Sequence, residues 1–248
     1  MDLGLRGRRA AVAAGSRGLG LAAAQALAAE GARVVLCSRD AERARAAADA
    51  TVGDVTGIAA DVASPAGAER FVGDAAELLG GVDILVTNAG GPPPSTFATT
   101  AFEAYLAAIS SNLLSVVAMC RATVPDMRRQ GWGRVVAITS ITVRQPIPNL
   151  ITSTTARAGA TGFLKSLATE VAADGVTVNS LQPGYHSTAR VTAVAGDDLA
   201  QLAASIPVGD LGRPDDFGAI VAFLCSNHAR FVTGTALPVD GGASMGLQ

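Results

Sequence analysis

Short apolar runs alternate along the chain with longer segments rich in alanine, leucine and charged residues. Each run is five or six residues long and predicts a buried strand. Strands are expected at residues 9–14, 33–38, 55–60, 82–86, 135–139 and 176–181. Helices are expected at residues 21–30, 40–50, 64–79, 101–130, 152–173 and 214–226, with the fourth interrupted at Pro125. This alternation predicts a doubly wound parallel sheet in one α/β domain covering residues 1–248.

Composition narrows the class of protein. The 248 residues are 49% apolar, which is too apolar for a disordered chain, and no apolar run is expected to reach membrane-spanning length. A net charge of −2 argues against nucleic acid as the main partner. Cys37, Cys120 and Cys225 are odd in number and widely spaced, which fits neither a metal site nor a disulfide framework. We therefore expect a cytoplasmic protein that binds no membrane, nucleic acid or metal.

A glycine-rich turn joins the first strand to the first helix. Glycines at such a turn let backbone N–H groups approach a pyrophosphate, and the helix N-terminus adds a favourable dipole. The turn predicts a dinucleotide site, although tight packing alone can also require glycine. Its residues are Gly15, Ser16, Arg17, Gly18, Leu19 and Gly20.

The residue at the end of the second strand indicates which dinucleotide binds. An acid near this place binds the adenosine ribose hydroxyls, whereas a cation accommodates a 2′-phosphate. Arg39 stands here, and Arg17 lies inside the glycine turn. Two guanidinium groups near one ribose favour NADP(H) over NAD(H). NAD(H) stays open because Asp40 could pair with Arg39, and both arginines could simply be exposed to solvent.

Further short motifs follow the other strands. They are Asp61-Val62, Asn88-Ala89-Gly90, Ser111-Asn112, Pro183-Gly184 with Thr188, and Asp240-Gly241-Gly242. With these motifs the chain resembles, over nearly its whole length, the short-chain dehydrogenase/reductase family, particularly its 3-oxoacyl-carrier-protein reductase-like branch. The resemblance implies a Rossmann-type sheet with a seventh strand at residues 234–239. One departure is Ala13-Ala14, where the family usually has Thr-Gly.

The resemblance also implies roles for these residues. The implied cofactor contacts are Asp61 and Val62 at the adenine, Asn88, Ala89 and Gly90 beside the sheet, and Pro183, Gly184 and Thr188 at the nicotinamide carboxamide. Asn112 would hold a water molecule in the family's proton relay. The helices at residues 101–130 and 152–173 would form the faces of a homo-oligomer, a tetramer or a dimer.

The expected active site departs from the family pattern. Ser140 matches the catalytic serine, but Ser153 stands thirteen residues later, where the family has a tyrosine. Arg157 replaces the lysine that, in the family, binds the cofactor ribose and lowers the tyrosine pKa. An alkyl hydroxyl is a far weaker acid than a phenol, whose pKa is about 10, and arginine stays protonated at any useful pH. Because a positioned acid is worth about 10²–10⁴-fold in rate, the standard mechanism cannot be carried over.

Replacement groups are sought in two nearby loops. Tyr185 and His186 begin the stretch 185–210, which resembles the family's substrate lid, and either could act as an acid. The alternative is that both residues merely contact solvent. Arg144 and Gln145 are candidate substrate contacts, and Arg144 suits a carboxylate or a phosphate unless it is a solvated loop residue.

Three functions are compatible with this sequence. The first is NADP(H)-dependent carbonyl reduction or alcohol oxidation of a small-molecule substrate with a non-standard proton donor. The second is a non-redox cyclase, isomerase or dehydratase, in which Ser140, Ser153 and Arg157 stabilise an oxyanion. The third is a catalytically silent protein that binds the cofactor and acts through a partner. We expect the first.

Overall fold

The computed structural model describes residues 1–246, except for the side chains of Val194, Ala195 and Asp197. Within this range the strands form a seven-stranded parallel sheet in the order β3-β2-β1-β4-β5-β6-β7. The strands are β1 (Arg9–Val12), β2 (Arg33–Ser38), β3 (Val55–Ala59), β4 (Ile84–Thr87), β5 (Gly133–Ile138), β6 (Val176–Pro183) and β7 (Ala236–Val239). The predicted doubly wound, Rossmann-type parallel sheet is confirmed.

Helices cover both faces of the sheet because successive strand residues point to opposite sides. The helices are α1 (Gly18–Ala29), α2 (Ala41–Asp49), α3 (Pro65–Leu79), α4 (Phe102–Ile109), α5 (Ser115–Gln130), α6 (Ile151–Val171), α7 (Ala189–Ala195), α8 (Leu199–Ala204) and α9 (Pro214–Cys225). Ala10 faces the layer of α1 and α9 with Phe217, whereas Ala11 faces the layer of α3, α5 and α6 with Phe71. Burying each phenylalanine stabilises the fold by about 1.5–3 kcal/mol.

The long helical region between β4 and β5 is interrupted, but not where the sequence predicted. Pro125 lies inside α5, so the predicted interruption there is wrong. Packing of the buried face of α5 outweighs the one helix hydrogen bond that the proline removes. The helix instead widens into a π-turn at Ser110–Leu114, where the N–H of Ser115 donates to the carbonyl of Ser110. This turn carries the predicted site residue Asn112.

The same region corrects the expectation about apolar run length. Phe102–Gln130 is long and apolar enough to cross a membrane by length and composition alone. Its α5 part packs against α3 and the sheet, which is the environment of a core helix in a layered domain. Large apolar side chains on the remainder are nevertheless exposed, namely Phe102, Leu106 and Leu114.

The segment 185–210, predicted as a substrate lid, contains α7 and α8. It lies near the carboxyl ends of two central strands. Thr188 is close to Gly18, which follows β1, and the guanidinium of Arg190 lies against Gly91, which follows β4. Because β1 and β4 are neighbours where the strand order reverses, the segment crosses the crevice in which open α/β sheets bind ligands.

Candidate active site

The predicted glycine turn is packed too closely for side chains at two of its positions. A Cβ on Gly15 would lie 2.8 Å from the Cβ of Leu36. A Cβ on Gly20 would lie 2.6 Å from the carbonyl oxygen of Ala14. Glycine is therefore required here by contact with the protein itself, in addition to any contact with a ligand.

The N-terminus of α1 opens toward the segment 185–210. Gly18 has a φ of +58°, and a Cβ on it would lie 3.7 Å from the methyl group of Thr188. Arg17, directly before the helix, is exposed, and Ser16 and Leu19 are half-buried. The first N–H groups of α1 thus lie beside Thr188, where an anionic group gains from the helix dipole.

Ala14 occupies the left-handed backbone region, with a φ of +46°. The N–H of Ala14 donates to the sulfur of Cys37 at 3.4 Å, and its carbonyl accepts a hydrogen bond from Asn88 Nδ2 at 3.3 Å. A residue with a Cβ pays about 1–2 kcal/mol in this conformation. Contacts from β2 and from the segment after β4 therefore hold a strained residue at the base of the turn.

An exposed guanidinium, that of Arg39, lies at the end of β2. Asp40, which the sequence left as a possible partner of Arg39, accepts a hydrogen bond from the N–H of Arg43 at 3.1 Å and caps α2. Its carboxylate also pairs with the Arg43 side chain at 3.2 Å. Within residues 1–246, Arg39 forms no ion pair and is exposed. Arg39 and Arg17 are therefore both accessible to an anion.

Two further predicted cofactor motifs also lie at the carboxyl ends of strands. Asp61 follows β3, is exposed, and accepts a hydrogen bond from the N–H of Ala63 at 3.0 Å, while Val62 is buried. After β4, Ala89 is half-buried and Gly90 is exposed. All of them border the same edge of the sheet as the glycine turn.

Gly184 marks a close approach at the end of β6. Its N–H donates to the carbonyl of Val239 at 2.9 Å, and a Cβ on it would lie 2.8 Å from the Cα of Asp240. Pro183, the last residue of β6, is half-buried. The predicted motif at Asp240 therefore supports the chain just before Thr188.

Arg157 is a buried cation at the end of β5. Its Nη1 donates to the carbonyls of Ile138 and Thr139, at 3.1 and 2.6 Å, whereas its buried Nε has no partner in the described part of the chain. Burial, and secondly the like charge of Arg190, lower the pKa of Arg157 to about 10. The group therefore stays protonated at neutral pH and does not exchange protons there.

A small cavity separates Arg157 from the predicted relay residue Asn112. The cavity has a volume of about 10 Å³, which is close to the minimum volume that holds one water molecule. Asn112 Nδ2 donates to Ser111 Oγ at 2.8 Å. Its buried Oδ1 and the Oγ1 of Thr87 have no hydrogen-bond partner among the residues that the structure describes. The lining residues are Thr87, Asn88, Ala89, Asn112, Val116, Ala137, Ile138, Thr139 and Arg157.

The two predicted catalytic serines lie on elements that pack together. Ser140 follows β5 and is half-buried, and its Oγ accepts a hydrogen bond from the N–H of Thr142 at 3.2 Å. Ser153 is buried in the first turn of α6, one helical turn before Arg157. The 3₁₀ turn after Ser140 packs against α6, so the two serines lie on neighbouring elements.

His186 is placed by packing. Its buried ring lies edge-on to Phe217, with ring centroids 5.2 Å apart, and contacts Gly212. Burial lowers the pKa of His186 below 6.5, so the ring is neutral at pH 7. Tyr185 is half-buried beside it. A role of either residue as a proton donor stays a prediction, and the contacts of His186 are those of a packing residue.

Arg144 and Gln145 hold other parts of the chain. Arg144 Nε donates to Gln182 Oε1, and its Nη2 donates to the carbonyl of Ala236, both at 2.6 Å. Gln145 Oε1 accepts a hydrogen bond from the N–H of Met245 at 2.8 Å. Both side chains thus tie the loop after β5 to the sheet and to the C-terminal segment, and their contact with a substrate stays a prediction.

Sequence reasoning missed Arg190. Its Nη1 and Nη2 donate to the carbonyls of Gly91 and Pro92, at 3.1 and 3.3 Å. Its position two residues after Thr188 was the one available signal. The positive charge of Arg190 is, after burial, the second cause that lowers the pKa of Arg157.

Comparison with known proteins places the chain in one family. The family model described as Enoyl-(Acyl carrier protein) reductase matches residues 13–244. The chain is 35% identical to the 3-oxoacyl-[acyl-carrier-protein] reductase FabG of Escherichia coli over 98% of this chain and 100% of that protein. It is also 35% identical to Dehydrogenase/reductase SDR family member 4 of Oryctolagus cuniculus, over 96% and 94% of the two chains.

A solved structure agrees with these relatives. L-sorbose reductase from Gluconobacter frateurii, determined in complex with NADPH and L-sorbose, is 32% identical and superposes with a TM-score of 0.93 over all of both chains. Matches of this extent in sequence and fold identify the chain as a member of the short-chain dehydrogenase/reductase family.

Proposed function

We propose that the protein is an NADP(H)-dependent enzyme that reduces a carbonyl or oxidises an alcohol, with Ser153 and Arg157 in place of the family's tyrosine and lysine. The observation that carries this proposal is the position of Arg157. The buried guanidinium donates to the carbonyl of Thr139 after β5. With Asn112 it lines a cavity between the carboxyl ends of β4 and β5, one strand away from the β1–β4 pair where the strand order reverses and such sheets bind their ligands. A carbonyl oxygen that gains negative charge would be stabilised there.

The residues present fit NADP(H). Gly18 leaves the N-terminus of α1 open for a pyrophosphate, and Thr188 lies beside it. Arg17 and Arg39 are exposed and suit a 2′-phosphate, since Asp40 is occupied by Arg43. The L-sorbose reductase of the same fold is complexed with NADPH, which supports this choice over NAD(H).

We assign the chemical steps as follows. When bound, NADP(H) supplies or accepts the hydride. Ser140 and Ser153 donate hydrogen bonds to the substrate oxygen, and Arg157 stabilises its negative charge without giving up a proton. A water molecule held between Asn112 Oδ1 and Thr87 Oγ1, for which the described part of the chain provides no partner, gives a proton to the alkoxide, and the hydroxide that remains takes up a proton from bulk solvent. Because water is a weaker acid than a phenol, turnover slower than that of family members with the tyrosine is expected.

The first test is calorimetric titration of the purified protein with NADPH and with NADH. Tight binding of NADPH and weak binding of NADH are expected. Absorbance at 340 nm in the presence of a panel of ketones and aldehydes then detects hydride transfer. If neither nucleotide binds, the proposal fails, and a cofactor-free enzyme or a partner protein is favoured instead.

The second test restores the family pair with Ser153→Tyr and Arg157→Lys together. A rise in carbonyl reduction of about 10²-fold or more would show that only the acid was missing. No rise, with NADPH still bound, would favour a non-redox cyclase, isomerase or dehydratase, or a catalytically silent protein.

We further propose that the protein is cytoplasmic and that residues 185–210 act as its substrate lid. We also propose that the protein forms a homo-oligomer. The exposed side chains of Phe102, Leu106 and Leu114 support an interface that includes α4 and the start of α5. Light scattering should give a multiple of 24.8 kDa, and Leu106→Arg should lower it.

A further inference from the structure

Arg190 lies over the segment that borders the active-site cavity. Its two hydrogen bonds end on the carbonyls of Gly91 and Pro92. The carbonyl just before them, that of Gly90, accepts a hydrogen bond at 3.5 Å from Asn112, which lines the cavity. The lid arginine is therefore separated from the cavity by a short piece of backbone.

Two arginines at this place lack a carboxylate partner among the side chains that the structure describes, which do not include Asp197. They are Arg157 and Arg190. Arg157 keeps a buried Nε without a partner, and after burial the repulsion by Arg190 is the second cause that lowers its pKa. An anion bound to Arg190 would reduce this repulsion, because a nearby opposite charge favours the charged form of a cation.

We propose that the substrate carries a carboxylate, which binds to Arg190 of the lid. The planar guanidinium matches a carboxylate with two parallel hydrogen bonds, which are stronger than the bonds that Arg190 makes to neutral carbonyls. Arg190 thereby takes the role that the sequence predicted for Arg144, which ties the loop after β5 to Gln182 of β6 and Ala236 of β7. The assignment rests on the proposed function and adds the class of its substrate.

A second source of negative charge is the pyrophosphate of the cofactor. The experiment therefore measures cofactor affinity and carboxylate affinity separately. The protein saturated with NADP⁺ is titrated in a calorimeter with malonate and succinate, and with malonamide and succinamide as uncharged matches. At least one dicarboxylate is expected to bind tenfold or more tightly than its diamide.

Variants assign this preference to the lid. Arg190→Gln should remove it, and Arg190→Lys should keep part of it, while NADP⁺ affinity changes less than twofold. Arg70→Gln, on the exposed face of α3, is the matched control and should change neither affinity. Equal binding of acids and amides would overturn the proposal. A loss of NADP⁺ affinity in Arg190→Gln as large as the loss of dicarboxylate affinity would overturn it too, by assigning the arginine to the pyrophosphate.

This titration does not depend on turnover, so the two proposals fail separately. Dicarboxylate binding through Arg190 without any reduction of a carbonyl would contradict the proposed function and support the carboxylate site. Reduction of neutral ketones without dicarboxylate preference would do the reverse. If NADP⁺ does not bind, the same titration on the cofactor-free protein tests whether dicarboxylates bind more tightly than their diamides.

Discussion

Asn88, just after β4, donates a hydrogen bond from Nδ2 to the carbonyl oxygen of Ala14, just after β1. The two strands are neighbours at the point where the strand order reverses. One side chain therefore links the turn expected under the cofactor pyrophosphate to the segment beside the active-site cavity. It does so while Ala14 is held at a positive φ.

Replacing Ala14 by glycine should stabilise the protein. Glycine removes the steric cost of the left-handed conformation, so Ala14→Gly is expected to raise the free energy of unfolding by about 1 kcal/mol and Tm by about 2–4 °C. Thermal and urea unfolding measure both. Ala13→Gly is the control: Ala13 is buried and has no positive φ, so this change should lower stability. A lower Tm for Ala14→Gly would show that the turn is not strained.

Removing Arg39 should change cofactor choice. Arg39→Ala is expected to weaken NADPH binding about 10-fold or more, because a charged hydrogen bond contributes about 1.5–3 kcal/mol, and to leave NADH binding unchanged. Calorimetry with both nucleotides provides the comparison. Arg45→Ala, exposed on α2, should leave both affinities as they are. Equal weakening of NADPH and NADH would refute a 2′-phosphate contact.

Lowering the pH should destabilise the protein through His186. Burial lowers its pKa below the value of 6.5 expected in the unfolded chain, so the unfolded state binds the proton more readily. Stability from this group is present above pH 6.5 and is lost as pH falls through the folded-state pKa. His186→Gln should therefore lose less stability than the wild type between pH 7.5 and 5 in urea unfolding.

The ion pair between Arg9 and Asp83, at the amino-terminal edge of the sheet, gives a second pH-dependent test. Arg9 Nε and Nη2 contact the two carboxylate oxygens of Asp83, at 2.9 and 2.6 Å. Burial raises the pKa of Asp83, but the hydrogen bonds and charge of Arg9 outweigh this and hold it below 3.8. The stabilisation is thus present above pH 4 and is lost as pH falls through the folded-state pKa.

Asp83→Asn should accordingly cost about 1–3 kcal/mol at pH 7 and progressively less below pH 4. Chemical unfolding at several pH values measures the difference. Asp54→Asn breaks the exposed pair with Arg33, at 3.2 Å, and should cost under about 1 kcal/mol. A similar cost for both variants would contradict the distinction between buried and exposed pairs.

The sequence by itself determined that the strands form a parallel sheet, and it determined the edge of that sheet at which the candidate site lies. Apolar runs that alternate with helical segments specify parallel strands, because strand and helix periods are local properties of the chain. The positions of Gly15 and Gly20 were also readable, since close backbone contact after β1 admits no side chain. The sequence likewise placed Ser153 and Arg157 one helical turn apart on α6.

Only the tertiary structure decided what the polar side chains contact. The ring of His186 packs on Phe217, and Arg144 donates a hydrogen bond to Gln182. Both partners are distant in sequence and come close only in the folded chain. Arg190 donates a hydrogen bond to the carbonyl of Gly91, a residue 99 positions earlier, so no local sequence pattern could predict this contact. Local periodicity fixes which backbone segments form, whereas burial and the pairing of charges depend on which segments the fold brings together.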